Sequence, residues 1–251
     1  MSVLPECYGI IPARYHSTRF EGKPIKSRFE GKPMFWHVYK RACQCRELKK
    51  VILATDHEMI KSEAEDLDVQ VVMTRPDHPS GTDRVLEAAQ QIQVPDDGIV
   101  INIQGDEPLL EPSLLTELIQ PFSDPEIEVT TPVRKIKITN NEKEIQNTDR
   151  VKVVFTNTNK ALYFSRLPVP YNRDEQQEEY YLHVGIYAFR MKTLKKFVQL
   201  KPSKLELAEK LEQLRLLEND IPIHIVETEY ESIGVDRPED VLIVEERLKS
   251  V

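Results

Sequence analysis

An α/β fold with a doubly wound, mostly parallel sheet and a smaller inserted sheet or dimerisation lobe is predicted by three features of this 251-residue chain. The run Val100-Ile101-Asn102-Ile103 is β-branched, short, and closed by Gly105 and Pro108, which is the pattern of a parallel strand buried on both faces. Between Tyr8 and Pro108 such runs alternate with helix-spaced segments, so the strands are joined by right-handed parallel crossovers. Past Pro108 the strands crowd together and hairpin turns appear, which sets a smaller lobe or dimer arm around 135–182 within one domain spanning 1–251.

The first strand is read at 8–11 and runs into the loop 12–24. There Arg14, Arg19 and Lys23 stand beside Ser17, Thr18 and Gly22, so fixed charge and hydrogen-bond donors surround a pliable backbone. That suits a polyphosphate, although a solvated basic loop is the alternative. The order of residues is neither a Walker loop nor a dinucleotide GxGxxG loop. Phe20-Glu21-Gly22-Lys23-Pro24 recurs as Phe29-Glu30-Gly31-Lys32-Pro33, an echo too short for a repeat fold and read as local turn chemistry. The second copy opens a helix over 34–45, with Phe35, Val38, Tyr39 and Ala42 on its sheet-facing side.

Strands at 51–54 and 70–73 flank a charged helix over 58–66. The loop 74–84 is dense in hydroxyls and holds Ser80, Gly81 and Arg84 ahead of a helix over 85–92. A hydroxyl-rich turn at a helix N-terminus receives an anion or a base edge, or is no more than an N-cap with an exposed Arg. The strand at 100–103 then delivers Gln104, Asp106 and Glu107 just past its carboxyl end, where open α/β sheets bind ligands. Asp106 beside the flexible Gly105 suits an oxygen-ligated cation such as Mg²⁺, with capping of a helix over 111–122 as the competing role.

In the second half, strands are read at 129–133, 151–155 and 161–166, with a polar connector over 138–150 and a mobile loop or dimer arm over 168–180. A strand over 182–189 carries His183 and Tyr187 among apolar residues, where a lone His is ordinarily a core residue. Helices follow over 191–198 and 205–218. In the latter Leu207, Leu211, Leu214 and Leu217 form the buried stripe, which leaves Glu212 and Gln213 exposed. A strand over 221–225 leads to Asp236 and a last helix over 241–248.

A net charge of −8 does not suit a nucleic-acid binder that lives on phosphate neutralisation. No apolar run approaches the ~20 residues of a membrane span, and the first residues lack a signal peptide's pattern. Cys7, Cys43 and Cys45 are odd in number and at no zinc-like spacing, which predicts free thiols in a reducing cytoplasm.

Together the motifs resemble the 3-deoxy-manno-octulosonate (Kdo) cytidylyltransferases over nearly the whole chain. The shared stretches are Pro12-Ala13-Arg14 to Lys23-Pro24, Ala54-Thr55-Asp56, Ser80-Gly81-Thr82-Asp83-Arg84 and Asn102 to Pro108. Tyr163-Phe164-Ser165-Arg166, His183-x-Gly185-Ile186-Tyr187, Leu211-Glu212-Gln213-Leu214-Arg215 and Gly234-Val235-Asp236 complete the set. The resemblance implies a nucleotide-diphospho-sugar transferase-like fold, a cytoplasmic homodimer, and transfer of CMP from CTP to Kdo with release of pyrophosphate, for lipopolysaccharide biosynthesis. It implies that Arg14, Arg19 and Lys23 hold the triphosphate, that Ser80 and Arg84 help bind the nucleotide, and that Asp106 and Asp236 carry Mg²⁺. It also sets Arg166 against the sugar's carboxylate and His183, Gln104, Tyr187, Glu212 and Gln213 against its hydroxyls. Arg14, Lys23, Asp106 and Asp236 are then the catalytic set. Glu21 stands where the family usually has Pro, and Leu182 where Arg is frequent. The far end of the sugar is left open, an 8-amino form being the alternative.

Overall fold

The structure, a computed structural model, describes residues 4–15, 21–174, 178–235 and 239–248. The first part of the chain runs through β1 (Cys7–Ala13), α1 (Lys23–Lys26), β2 (Arg28–Phe29), β3 (Lys32–Pro33), α2 (Met34–Ala42), β4 (Leu48–Thr55), α3 (Glu58–Asp66), β5 (Val71–Met73), α4 (Gly81–Gln91) and β6 (Ile99–Asn102). It continues through α5 (Pro112–Ile119), β7 (Val129–Lys137), α6 (Ile138–Gln146), β8 (Lys152–Phe155), β9 (Ala161–Ser165), β10 (Glu179–His183) and β11 (Tyr187–Arg190). The last elements are α7 (Met191–Gln199), α8 (Lys204–Glu209), α9 (Gln213–Glu218), β12 (His224–Thr228) and α10 (Asp240–Leu248).

Strands β5, β4, β1 and β6 lie side by side and parallel. The chain starts at β1, steps outward to β4 and β5, and returns to β6 on the other side of β1. The carboxyl ends of β1 and β6 therefore flank a point where the winding reverses, the place at which open α/β sheets form a ligand crevice. Beyond β6 the sheet turns antiparallel through β11, β7, β10, β8 and β9, with β12 added parallel to β7. A second, smaller sheet is the β2–β3 hairpin, away from the 135–182 region, whose strands β7 to β10 belong to the main sheet; Glu30 and Gly31 of the hairpin both have positive φ (50° and 77°), as a two-residue hairpin loop requires.

The sheet is covered on both faces. Successive residues of a strand point to opposite sides, so Ile10 belongs to the cluster containing Val85, Phe189 and Phe197, while Ile11 belongs to the one containing Phe35, Ile60 and Leu114. Both isoleucines are fully buried, which is why β1 and β6 read as unbroken apolar runs.

The strand expected over 221–225 lies at His224–Thr228, and three expected elements differ in kind. The polar connector over 138–150 contains α6, held by the Arg134–Glu144 ion pair and by Ile145, which joins Ile136, Tyr180 and Leu182 in a small cluster of its own. The strand expected over 182–189 is two strands: β10 pairs with the later part of β7, β11 with its start and with β6, and Val184 and Ile186 make the step between. The helix expected over 205–218 is also two, because Lys210 sits at φ 56°, a left-handed conformation that a continuing helix cannot contain.

Candidate active site

Arg14, Lys23, Ser80, Arg84, Gln104 and Asp106 line one cavity of about 400 Å³ at the reversal point between β1 and β6. Their convergence depends on a close backbone approach. A Cβ on Gly105 would lie 2.7 Å from the carbonyl oxygen of Pro12, so only glycine lets the turn after β6 close against the end of β1.

Lys23 opens α1 behind Gly22, whose left-handed φ of 71° turns the loop into the helix. Its Nζ donates to Asp106 Oδ2 and to the carbonyl of Val235, both at 2.8 Å. Asp106 keeps 31% of its side chain exposed and, through its own carbonyl, accepts from Val235 N–H at 2.9 Å. One ammonium thus joins the first loop, the tip of β6 and the segment before α10.

Ser80 is the N-cap of α4: its Oγ accepts from Thr82 N–H (3.1 Å) and Asp83 N–H (3.4 Å), which is why the helix begins at Gly81 and not at Val85. Arg84 is 3% exposed, its Nη2 2.7 Å from Asp56 Oδ2 and its Nη1 bonded to Thr74 Oγ1. It forms part of the cavity wall and at the same time a buried ion pair linking α4 to the end of β4. Gln104 donates from Nε2 to the carbonyl of Gly185 at 2.9 Å, joining the tip of β6 to the step between β10 and β11.

Arg166, His183, Tyr187, Glu212 and Gln213 lie in the antiparallel half and do not line that cavity. Thr82, at the start of α4, connects the two groups by donating from Oγ1 to Glu212 Oε2 at 2.9 Å. His183 lies 2.9 Å from Thr131 Oγ1 through Nε2 and packs against the rings of Phe164 and Tyr187. Burial drives its pKa down to about 3, so the imidazole is neutral near pH 7. Burial, reinforced by the Glu212 carboxylate, keeps the Tyr187 phenol protonated.

Gln213 is 6% exposed and Leu207 54% exposed, the reverse of the stripe expected from one continuous helix. The break at Lys210 reorients α9, whose Leu214 and Leu216 are buried, with Leu211 just ahead of it, while Gln213 turns inward. Tyr187 Oη and Gln213 Nε2 are both buried and have no hydrogen-bond partner among the described residues. Arg166 donates from Nε to the Glu209 carbonyl (2.6 Å), from Nη1 to that of Thr148 (3.0 Å) and from Nη2 to that of Lys210 (3.5 Å). Among the described residues these leave two of its five N–H groups for another acceptor.

Arg19 and Asp236 lie outside the described residues. Sequence reasoning gave no role to Glu107, which is 7% exposed and accepts from Tyr230 Oη at 2.9 Å and from Ser232 Oγ. It also passed over Lys152, a fully buried ammonium that donates to the carbonyls of Asn147, Arg150 and Arg166. Glu107 was visible beside Asp106, but no pattern in 228–235 announced its partners; Lys152 sits in a strand whose register alone turns it inward.

No group of three or more His, Cys, Asp or Glu arranged to hold a metal occurs among the described residues. Mg²⁺ is ordinarily held by one or two carboxylates with substrate phosphate and water completing its shell, and Asp106 on the cavity wall is a carboxylate of that kind.

Residues 8–227 match a family described as cytidylyltransferase. The 3-deoxy-manno-octulosonate cytidylyltransferase of Oleidesulfovibrio alaskensis is 55% identical, the alignment covering 95% of this chain and 94% of that protein. An 8-amino-3,8-dideoxy-manno-octulosonate cytidylyltransferase of Shewanella baltica is 44% identical over 95% of this chain and 97% of that one. Among solved structures, a CMP:2-keto-3-deoxy-manno-octonic acid synthetase complexed with CTP superimposes with a TM-score of 0.91 at 39% identity, covering 98% of this chain and 99% of that one.

Proposed function

Because the chain belongs to the 3-deoxy-manno-octulosonate cytidylyltransferase family, we propose that it transfers CMP from CTP to Kdo, releasing pyrophosphate and supplying the activated sugar for lipopolysaccharide assembly. The observation that carries this reading is the meeting of Arg14, Lys23 and Asp106 on one cavity at the reversal point of the sheet. Nucleotidyl transfer asks little covalent chemistry of a protein. It asks for neutralised charge on the triphosphate and for two reactants held in line.

In this reading Arg14 and Lys23, with Arg19, grip the triphosphate, and Ser80 and Gly81 at the start of α4 face the nucleotide. Arg84 acts mainly by holding that loop, since its guanidinium is already paired with Asp56. The sugar lies against the second group of residues. Tyr187 Oη and Gln213 Nε2 supply unpaired polar atoms for its hydroxyls, Gln104 and Glu212 stand at the boundary with the nucleotide, and neutral His183 adds a hydrogen bond without charge. Arg166 offers its two remaining N–H groups to the carboxylate. The anomeric hydroxyl attacks the α-phosphorus, the new O–P bond forms as the bond from the α-phosphorus to the bridging oxygen breaks, pyrophosphate leaves with that oxygen, and the hydroxyl proton passes to water.

The donor set fits Mg²⁺: Asp106 is a hard oxygen ligand in a polar cavity, and the Lys23 contact uses its Oδ2. Asp106 and Asp236 would hold the ion, which when bound adds charge against the triphosphate and lowers the pKa of the attacking hydroxyl. We further propose a cytoplasmic homodimer that meets through the 135–182 region, where Leu167 and Tyr171 are 65% and 86% exposed, with neither nucleic acid nor membrane as a partner. No helix among the described residues is long and apolar enough to cross a membrane.

The test is pyrophosphate release from CTP with Kdo, 8-amino-Kdo and sialate in parallel. Release with Kdo is expected; release with the 8-amino sugar alone moves the substrate to that variant, and release with sialate and neither of the others overturns the reading.

A further inference from the structure

Asp106 and Glu107 are adjacent carboxylates with opposite surroundings. Asp106 faces the cavity and Lys23, whereas Glu107 is buried and spends both oxygens on hydroxyls, Oε2 on Tyr230 and Oε1 on Ser232. Burying a carboxylate is costly unless its lone pairs are met, and burial does raise the Glu107 pKa.

The two hydroxyls belong to a stretch with no helix or strand of its own. Between the end of β12 at Thr228 and Val235, the chain is tied to the tip of β6 by these two hydrogen bonds, by Val235 N–H on the Asp106 carbonyl, and by Lys23 on the Val235 carbonyl. A Cβ built on Gly234 would stand 3.6 Å from the Asp106 carbonyl oxygen and 3.6 Å from Glu107 Oε1, ordinary van der Waals contact, so the stretch runs beside the tip of β6. Val235 is fully buried against Phe29, Met34 and Val244. Glu107 is therefore one of the side chains that hold this stretch, with Lys23 on the Val235 carbonyl and Arg150 on that of Ser232, and it is the one that binds it through two side-chain hydroxyls.

We propose that Glu107 is a positioning residue for the cation-binding face of the site: it clamps residues 230–235 onto the tip of β6 and so fixes the carboxylate of Asp106 and the ammonium of Lys23 relative to Val235. The inference rests on the reading of Asp106 as a cation ligand. Residues supporting a metal ligand from behind change metal affinity or activity by about 10- to 100-fold when removed.

The experiment measures Mn²⁺ binding in the presence of CTP by electron paramagnetic resonance, alongside kcat and KM for CTP. Glu107→Ala is expected to weaken Mn²⁺ about tenfold and lower kcat up to about 100-fold, with KM for CTP changed less than about twofold. Glu107→Gln, which keeps the shape and can still bond both hydroxyls, should recover most of each loss. Tyr230→Phe combined with Ser232→Ala removes the same hydrogen bonds from the other side and should reproduce Glu107→Ala, including the split between Mn²⁺ and CTP, even where the alanine variant folds poorly. Unchanged Mn²⁺ affinity in the paired hydroxyl variant, or a loss that falls equally on CTP, overturns the proposal. Asp106→Asn is the control: if it leaves Mn²⁺ binding intact, the cation reading fails and the inference fails with it.

Discussion

The two halves of the site are built by opposite strategies. On the parallel side Lys23, Ser80, Arg84 and Asp106 already have partners within the protein, an ion pair, an N-cap, a buried ion pair and an ammonium. On the antiparallel side Tyr187 and Gln213 keep polar atoms buried and without a partner among the described residues. A site for a highly charged reactant needs charge held rigid before the reactant arrives, and pairing supplies that rigidity. A site for a neutral, hydroxyl-rich surface needs donors and acceptors left open, and the fold accepts their desolvation cost. On the proposed reading, the nucleotide side is preorganised by its salt bridges and the sugar side by its deficits.

The largest effect that tests this contrast is on the charged side. Asp106→Asn should lower kcat by about 10³-fold, on the order of 4 kcal/mol in the barrier, while the Tm stays within a few degrees because the side chain is partly exposed. Pyrophosphate release and a thermal melt of the same sample check both parts.

Arg84→Met should cost stability first, about 3 kcal/mol by urea unfolding, since it strands the largely buried Asp56 carboxylate just past the end of β4. If stability holds and only CTP binding falls, Arg84 is a direct ligand and the distinction between held and open groups weakens.

On the other side the sign reverses. Gln213→Leu removes an amide whose Nε2 has no partner among the described residues, so stability should stay level or rise by about 1 kcal/mol while KM for the sugar rises about tenfold and KM for CTP does not move. A fall in stability would mean that the amide is satisfied in solution.

The smallest effect is titration of His183. Its folded pKa of about 3 lies below the ordinary value of 6.5, so below pH 6.5 the unfolded chain takes up a proton that the folded one refuses, and stability falls with pH. The contribution is fully present above pH 6.5 and amounts to a loss of about 0.7 kcal/mol between pH 7 and 6. His183→Asn should flatten the urea-derived stability profile by that amount; His37 and His224, also held low by burial, account for slope that remains.

Legibility followed the same division. The basic loop, the hydroxyl-rich turn and the acidic strand tip were readable because each follows a short apolar strand, and strand ends in an α/β sheet define where loops converge. His183, Tyr187, Glu212 and Gln213 came from family resemblance alone, since their local patterns pointed to a core histidine and an exposed helix face. Lys210 explains the second failure: one left-handed residue splits the helix, and nothing in the spacing of its leucines marks the break.

By itself, then, the chain's sequence determined the alternation of strand and helix, the buried parallel strands and the charged loops at their ends, because these depend on residue patterns over a few positions. Tertiary structure alone decided which side chains came to face one another across 80 or more residues, Lys23 with Asp106 and Glu107 with Tyr230 among them. Such pairings are set by sheet order and by breaks such as Lys210. The packing of the whole chain selects them, and no local propensity encodes them.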